Sequence, residues 1–155
     1  MTVTNVDAGP RRVSRTAEVS VAPHELFAVL SDPHRHGELD GSGTVKDTVK
    51  GPERLSQDAR FSVNMRQYGV PYRITSRVTQ YVPDRLIEWR HPAGHRWRWE
   101  LAPQGDGSTT RVTETFDYST VNGLQAKALE LFGIPRQNAA GIEATLTQLQ
   151  QQHAA

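Results

Sequence analysis

The chain has 155 residues, 18 lysines and arginines against 17 aspartates and glutamates, and an apolar content of 36%. That length suits one domain with a core large enough to need no covalent staples. The absence of cysteine excludes disulfides, thiolate metal sites and cysteine nucleophiles, and the near-neutral charge lacks the basic surplus of a nucleic-acid binder.

Residues 1–11 offer little to bury and are expected to form a flexible tail before a single domain over residues 12–152. The polar start has no apolar stretch of the signal-peptide kind. No run approaches the 18 apolar residues of a spanning helix. A cytoplasmic location without membrane insertion is the expectation.

Val13, Ala17, Val19 and Val21 alternate with Ser14, Thr16, Glu18 and Ser20, the period of a half-buried strand. Pro23 suits the first position of a helix, with Leu26, Phe27 and Leu30 on one face and Ser31-Asp32-Pro33 as its stop. His34 to Leu39 reads as a second short helical turn, and Asp40-Gly41-Ser42-Gly43 as a loop. From Val45 onward strand follows strand. Phe61, Val63 and Met65 share one face; so do Tyr72, Ile74, Ser76 and Val78; so do Ile87, Trp89 and His91. Next come His95, Trp97, Trp99 and Leu101, and finally Val112, Glu114, Phe116 and Tyr118. Gly69-Val70-Pro71, Pro83-Asp84, Pro92-Ala93-Gly94 and Gly105-Asp106-Gly107 supply the turns. Connections this short predict an antiparallel meander of about seven strands, apolar on one face and charged on the other.

After Val121-Asn122-Gly123 the period becomes helical. Leu124, Ala128, Leu131 and Phe132 mark one helix, Gly133-Ile134-Pro135 interrupts it, and Ile142, Leu146 and Leu149 mark a longer one. A long helix with one apolar stripe needs a surface to lie on, and the apolar face of the sheet is that surface. The fold class is therefore α+β.

Three segments carry a resemblance to a known family. Val19-Ser20-Val21-Ala22-Pro23 with Leu26-Phe27 and Leu30-Ser31-Asp32-Pro33 resembles the opening of the START-like (SRPBCC) superfamily. Tyr81 to Trp89 resembles that family's turn into its fifth strand, and Gly107 to Tyr118 its last strand before the closing helix. The resemblance implies a helix-grip fold, a sheet wrapped around a long C-terminal helix with a ligand tunnel between them. It implies a hydrophobic ligand such as a lipid or polyketide, no cofactor, and no universal catalytic motif. Polyketide cyclase or dehydratase chemistry is the alternative that it carries, and a protein-interaction module is a third.

The polar residues that share the apolar strand faces are the candidate site. Glu114 and His95 are the candidate acid–base groups. A β-bulge would instead turn Glu114 outward, beside Arg98 or Arg111. Tyr72, Ile74, Ser76, Trp89, His91, Trp97, Trp99 and Phe116 are expected to contact the ligand from the sheet, and Leu124, Ala128 and Leu131 from the helix. His91 and His95 flank one hairpin but lack a third ligand, so no metal is expected. His34 and His36 sit where a gate would lie. Arg66, Arg73, Arg77, Arg90, Arg96 and Arg98 read as a basic stripe, with Arg73, Arg77, Arg96 and Arg98 on the outer face, and without a net positive charge a solvated face is expected rather than a nucleic-acid contact. A monomer or weak homodimer is expected. No phosphate loop, serine elbow or His-Glu-x-x-His zinc motif occurs.

Overall fold

A computed structural model of the chain describes residues 2–36, 45–67 and 69–154, with side chains except at 45–48 and 65–67. The expected helical turn to Leu39 lies outside the described residues beyond His36, as does the Asp40–Gly43 loop. The side chains of Met65 and Arg66 are likewise outside them.

Eight antiparallel strands form one open sheet: β1 Thr4–Val6, β2 Arg12–Val19, β3 Val45–Lys50, β4 Arg60–Gln67, β5 Val70–Val82, β6 Leu86–Arg90, β7 Arg96–Gln104 and β8 Thr109–Asp117. Their order across the sheet is β1-β2-β8-β7-β6-β5-β4-β3. β3 to β8 are a meander, as the short connections predict, and β2 closes onto β8. The strand count exceeds the expectation by one, because Thr4–Val6, expected to fray, pairs with Ser14–Thr16 at the sheet edge. Its backbone groups find partners there even though its side chains bury little.

Among the described residues three helices complete the fold: α1 Pro23–Leu30, α2 Gly123–Leu131 and α3 Ile134–Gln152, with a 3₁₀ turn at Pro33–Arg35. Pro23 opens α1 at its first turn. Asp32 caps the 3₁₀ turn by accepting from the His34 amide at 3.0 Å. Gly133, at φ +72°, is the left-handed break between α2 and α3, a conformation that glycine enters without the Cβ clash of other residues. α3 lies across β2 and β8 and buries Ile142, Thr145, Leu146 and Leu149. Gln150 ties its last turns to β2 by donating to the Glu18 carbonyl at 3.1 Å. α1 buries Leu26, Phe27 and Leu30, and Phe27 meets Tyr81 edge-on at 5.5 Å.

The first of the two C-terminal helices, α2, is turned the other way from the expectation. Leu124 and Leu131 are 83% and 82% exposed, and Ala128 is exposed as well. Ala126 and Leu129 face the core instead. The reason is local. The Asn122 side chain caps the helix by accepting from the Gln125 amide at 2.8 Å. Gln125 then donates to the Ala93 carbonyl and Thr120 to the Gly94 carbonyl, at 3.0 and 2.9 Å. These bonds to the β6–β7 hairpin fix the helix's rotation with a small residue, Ala126, against the core.

One irregularity interrupts the central ladders. Val78 pairs with Trp89, but Gln80 pairs with Glu88, so Thr79 is an extra residue in β5. Its hydroxyl donates to Glu88 Oε1 at 2.9 Å. Glu88 is buried although it lies on the outer face, and Arg98 and Arg96 reach its carboxylate at 3.2 and 3.6 Å.

Leu146→Ala, in the wholly buried stripe of α3, is expected to cost about 2–5 kcal/mol. Leu131→Ala, on the exposed face of α2, is expected to stay within about 0.5 kcal/mol. Urea unfolding of both variants checks the pair, and a comparable loss in the two would contradict the assigned helix faces.

Candidate functional site

Continuous registers across β2, β8, β7 and β6 arrange the inner face in rows. Val13, Phe116, Trp97 and Trp89 face one another in one row, and Val78 of β5 continues it. Arg15, Glu114, Trp99 and Ile87 form the next, continued by Tyr81. Ala17, Val112 and Leu101 form a third. No bulge interrupts β8 on either side, so Glu114 faces inward and is buried. Arg98 and Arg111, the partners that a bulge would have given it, are on the opposite face. Arg98 joins Glu100 at 3.0 Å and Arg111 joins Glu18 at 3.5 Å.

The inner face is filled unevenly. Ala17, Val19, Leu101 and Val112, together with Leu26 and Leu30, are almost wholly buried. Side chains therefore fill the α1 end of the face. Toward the β6–β7 hairpin burial loosens. Trp89, Trp97, Ile74, His91 and His95 are half-buried, and Tyr72 is 37% exposed. The half-buried apolar side chains of the inner face are at this second end. An aromatic floor forms there from the half-buried Trp89 and Trp97 beside the wholly buried Phe116, with Ser76 opposite Phe61 and Ile74 opposite Val63 on the neighbouring strands. Trp99 is buried in the adjacent row of the same face. Leu124, Ala128 and Leu131 point away from it, which corrects their expected place against the ligand.

Three histidines stand in this half. His91 and His95 stack at 4.1 Å between ring centroids, and His95 also meets Phe116 at 5.1 Å. The hairpin puts them there: the His91 amide donates to the His95 carbonyl at 2.9 Å. The Ala93 amide donates to His91 Nδ1 at 2.9 Å, so that nitrogen carries no proton. His95 Nδ1 is buried without a hydrogen-bond partner among the described residues. His36 stacks on Trp89 at 5.0 Å and meets Phe61 edge-on at 5.4 Å. Its Nε2 donates to the Leu30 carbonyl at 2.7 Å, because a carbonyl only accepts. No group of three metal-ligating side chains occurs among the described residues.

One inner-face group escaped the sequence reading. Arg15 shares parity with Val13 and Ala17, and its Nε donates to Glu143 of α3 at 3.0 Å. It faces Glu114 across the β2–β8 ladder. Parity alone would have placed it inside; its charge kept it off the list. His36, expected only near a gate, is buried against Trp89, a place that depends on the chain's path after α1.

Burial sets the protonation of these rings. His95 is lowered to about 4, first by desolvation and then by the nearby charge of His91. His91 is lowered by desolvation. His36 is lowered mainly by burial, against the hydrogen bond to Leu30, which favours its charged form. All three are neutral rings at pH 7. In the unfolded chain a histidine titrates near 6.5, so between 6.5 and 4 the unfolded state takes up a proton that native His95 refuses. Stability is complete above pH 6.5 and falls as the solution is acidified toward 4. For His95 the loss between pH 7 and pH 5 is about 2 kcal/mol. Denaturant unfolding at the two pH values is expected to give a smaller drop for His95→Gln than for the wild type; equal drops would contradict the burial of this ring.

Comparison with known proteins gives this geometry a family. Residues 10–154 match the family described as polyketide cyclase/dehydrase and lipid transport. An uncharacterized protein of Mycobacterium tuberculosis strain H37Rv is 54% identical over 156 residues, covering 99% of this chain and 69% of that protein. Among solved structures, the Zhui aromatase/cyclase from a Streptomyces species superposes with a TM-score of 0.64 at 18% identity, covering 94% of this chain and 96% of that one. A Rhodobacter sphaeroides protein superposes at 0.69 with 14% identity, covering 97% and 96%. These structural likenesses carry the helix-grip fold. With the match running over nearly its whole length, the chain belongs to the polyketide cyclase/dehydrase and lipid-transport family.

Proposed function

We propose that the chain binds a hydrophobic small molecule, a lipid or a polyketide, against the hairpin half of its inner sheet face. The observation that carries this reading is the pair of half-buried indoles, Trp89 and Trp97, in one row beside Phe116. A large apolar floor left part-open at one end of an otherwise filled core is a surface that a ligand completes. Burying about 300 Å² of apolar ligand surface contributes roughly 7 kcal/mol before the cost of association. Ser76, His95 and Glu114 border this floor and supply the few polar contacts that orient a ligand. The reading needs neither metal nor cofactor.

Trp97→Ala is expected to weaken binding of the apolar fluorophore N-phenyl-1-naphthylamine at least tenfold while the protein remains folded. Native mass spectrometry of freshly purified protein is expected to reveal a co-purifying apolar species. Unchanged fluorophore affinity in the variant would end this reading of the site.

A second reading has its own observation. Glu114 is a buried carboxylate on the same face as a histidine held neutral at pH 7, and a neutral ring is the form that accepts a proton. A flexible polyketide folded against the indoles would be held near both groups, which is how a cyclase gains most of its rate. Glu114→Gln is then expected to abolish cyclisation of a linear polyketide while leaving its affinity within about tenfold. Turnover that survives the change would remove Glu114 from the chemistry and leave the carrier reading standing.

A further inference from the structure

We propose that the outer face of the sheet carries a docking row for an acidic helix of a partner protein, formed by Arg60, Arg77, Arg90 and Arg96. The registers place these residues side by side: Arg60 opposite Arg77, Arg77 opposite Arg90, and Arg90 opposite Arg96, on the adjacent strands β4 to β7. They alternate with Phe61, Val78, Trp89 and Trp97, so they project from the face away from the ligand floor. Like charges directly opposite one another destabilise a sheet, and here three such pairs follow in succession.

The chain neutralises only part of this row. Asp58 joins Arg77 at 2.6 Å. Glu88 reaches Arg96 at 3.6 Å but is shared with Arg98 at 3.2 Å. Arg60 and Arg90 are exposed and have no acidic partner among the described residues. Beyond Arg96 the row ends at Asp117, which Arg12 already holds at 3.2 Å.

Spacing selects the occupant. Strands lie about 4.8 Å apart, so the four arginines span about 14 Å. Carboxylates at every third or fourth position of a helix recur at about 5–6 Å, and about ten helical residues cover the row. An extended peptide presents same-face side chains at about 6.8 Å intervals and falls out of step by the third arginine. Guanidinium groups match carboxylates in paired, planar hydrogen bonds. A long polyanion is disfavoured by the net charge of +1, which gives no broad positive field. The flanking outer positions, Ser62, Thr75 and Arg98, hold no apolar anchor for a bilayer.

The test measures binding of a labelled Ala/Glu helical peptide with its glutamates in one stripe, against a peptide of the same composition with them spread around the helix. The wild type is expected to bind the striped peptide at least tenfold more tightly than the other, and at least tenfold more tightly than Arg60→Gln/Arg90→Gln binds it. That variant is expected to unfold at the same temperature or higher, since it removes repulsion. It is also expected to bind N-phenyl-1-naphthylamine as the wild type does, which separates this surface from the ligand site. Equal affinity for the two peptides, or no loss in the variant, would overturn the proposal. So would tighter binding to vesicles of equal parts phosphatidylcholine and phosphatidylserine, or to single-stranded DNA.

Discussion

Unbroken backbone pairing between β2, β8 and β7 is the constraint on which everything else in this molecule depends. A strand sends successive side chains to opposite faces, so a ladder without slippage assigns every residue along it a side. Arg12 through Val19 and Arg96 through Gln104 are both in continuous register with β8. Glu114 therefore has no freedom to leave the inner face, and Arg98 and Arg111 have none to enter it. The aromatic floor follows from the same ladder, since Trp97 and Phe116 are paired residues rather than neighbours by accident of folding.

Two regions with different demands share this inner face. Under α1 the aliphatic side chains close on one another and are almost wholly buried. At the β6–β7 hairpin the indoles of Trp89 and Trp97 and the imidazoles of His91 and His95 remain half-covered, and those two imidazoles are neutral at pH 7. The family membership agrees with this division without naming what is bound, since its members span carriers and catalysts.

Much of the fold was readable because alternation is a strong signal where one face is buried. Trp97, Trp99 and Leu101 against Arg98 and Glu100 leave no second interpretation. The errors came where another force set the geometry. Leu124 and Leu131 have the spacing of a buried stripe, but the hairpin carbonyls of Ala93 and Gly94 hold α2 by its first turn and decide its rotation. The edge strand at Thr4–Val6 is held by backbone bonds that carry almost no side-chain pattern. Arg15 follows the parity rule and was missed because a charge on an apolar face looks like an exception, although Glu143 of α3 waits for it across the interface. The site was less legible than the fold: which tryptophans remain half-open depends on how far the helices reach, and no strand pattern encodes that.

The extra residue at Thr79 divides β5 into two halves of opposite phase. Below it Val78, Ser76 and Ile74 look inward; above it Tyr81 does. Shortening the strand by that one residue would force one half to trade faces, sending Arg73, Thr75 and Arg77 into the aromatic floor or Tyr81 out from under α1. This position therefore tolerates a change of side chain far better than a change of chain length, and insertions that diversify the protein must accumulate in its turns instead.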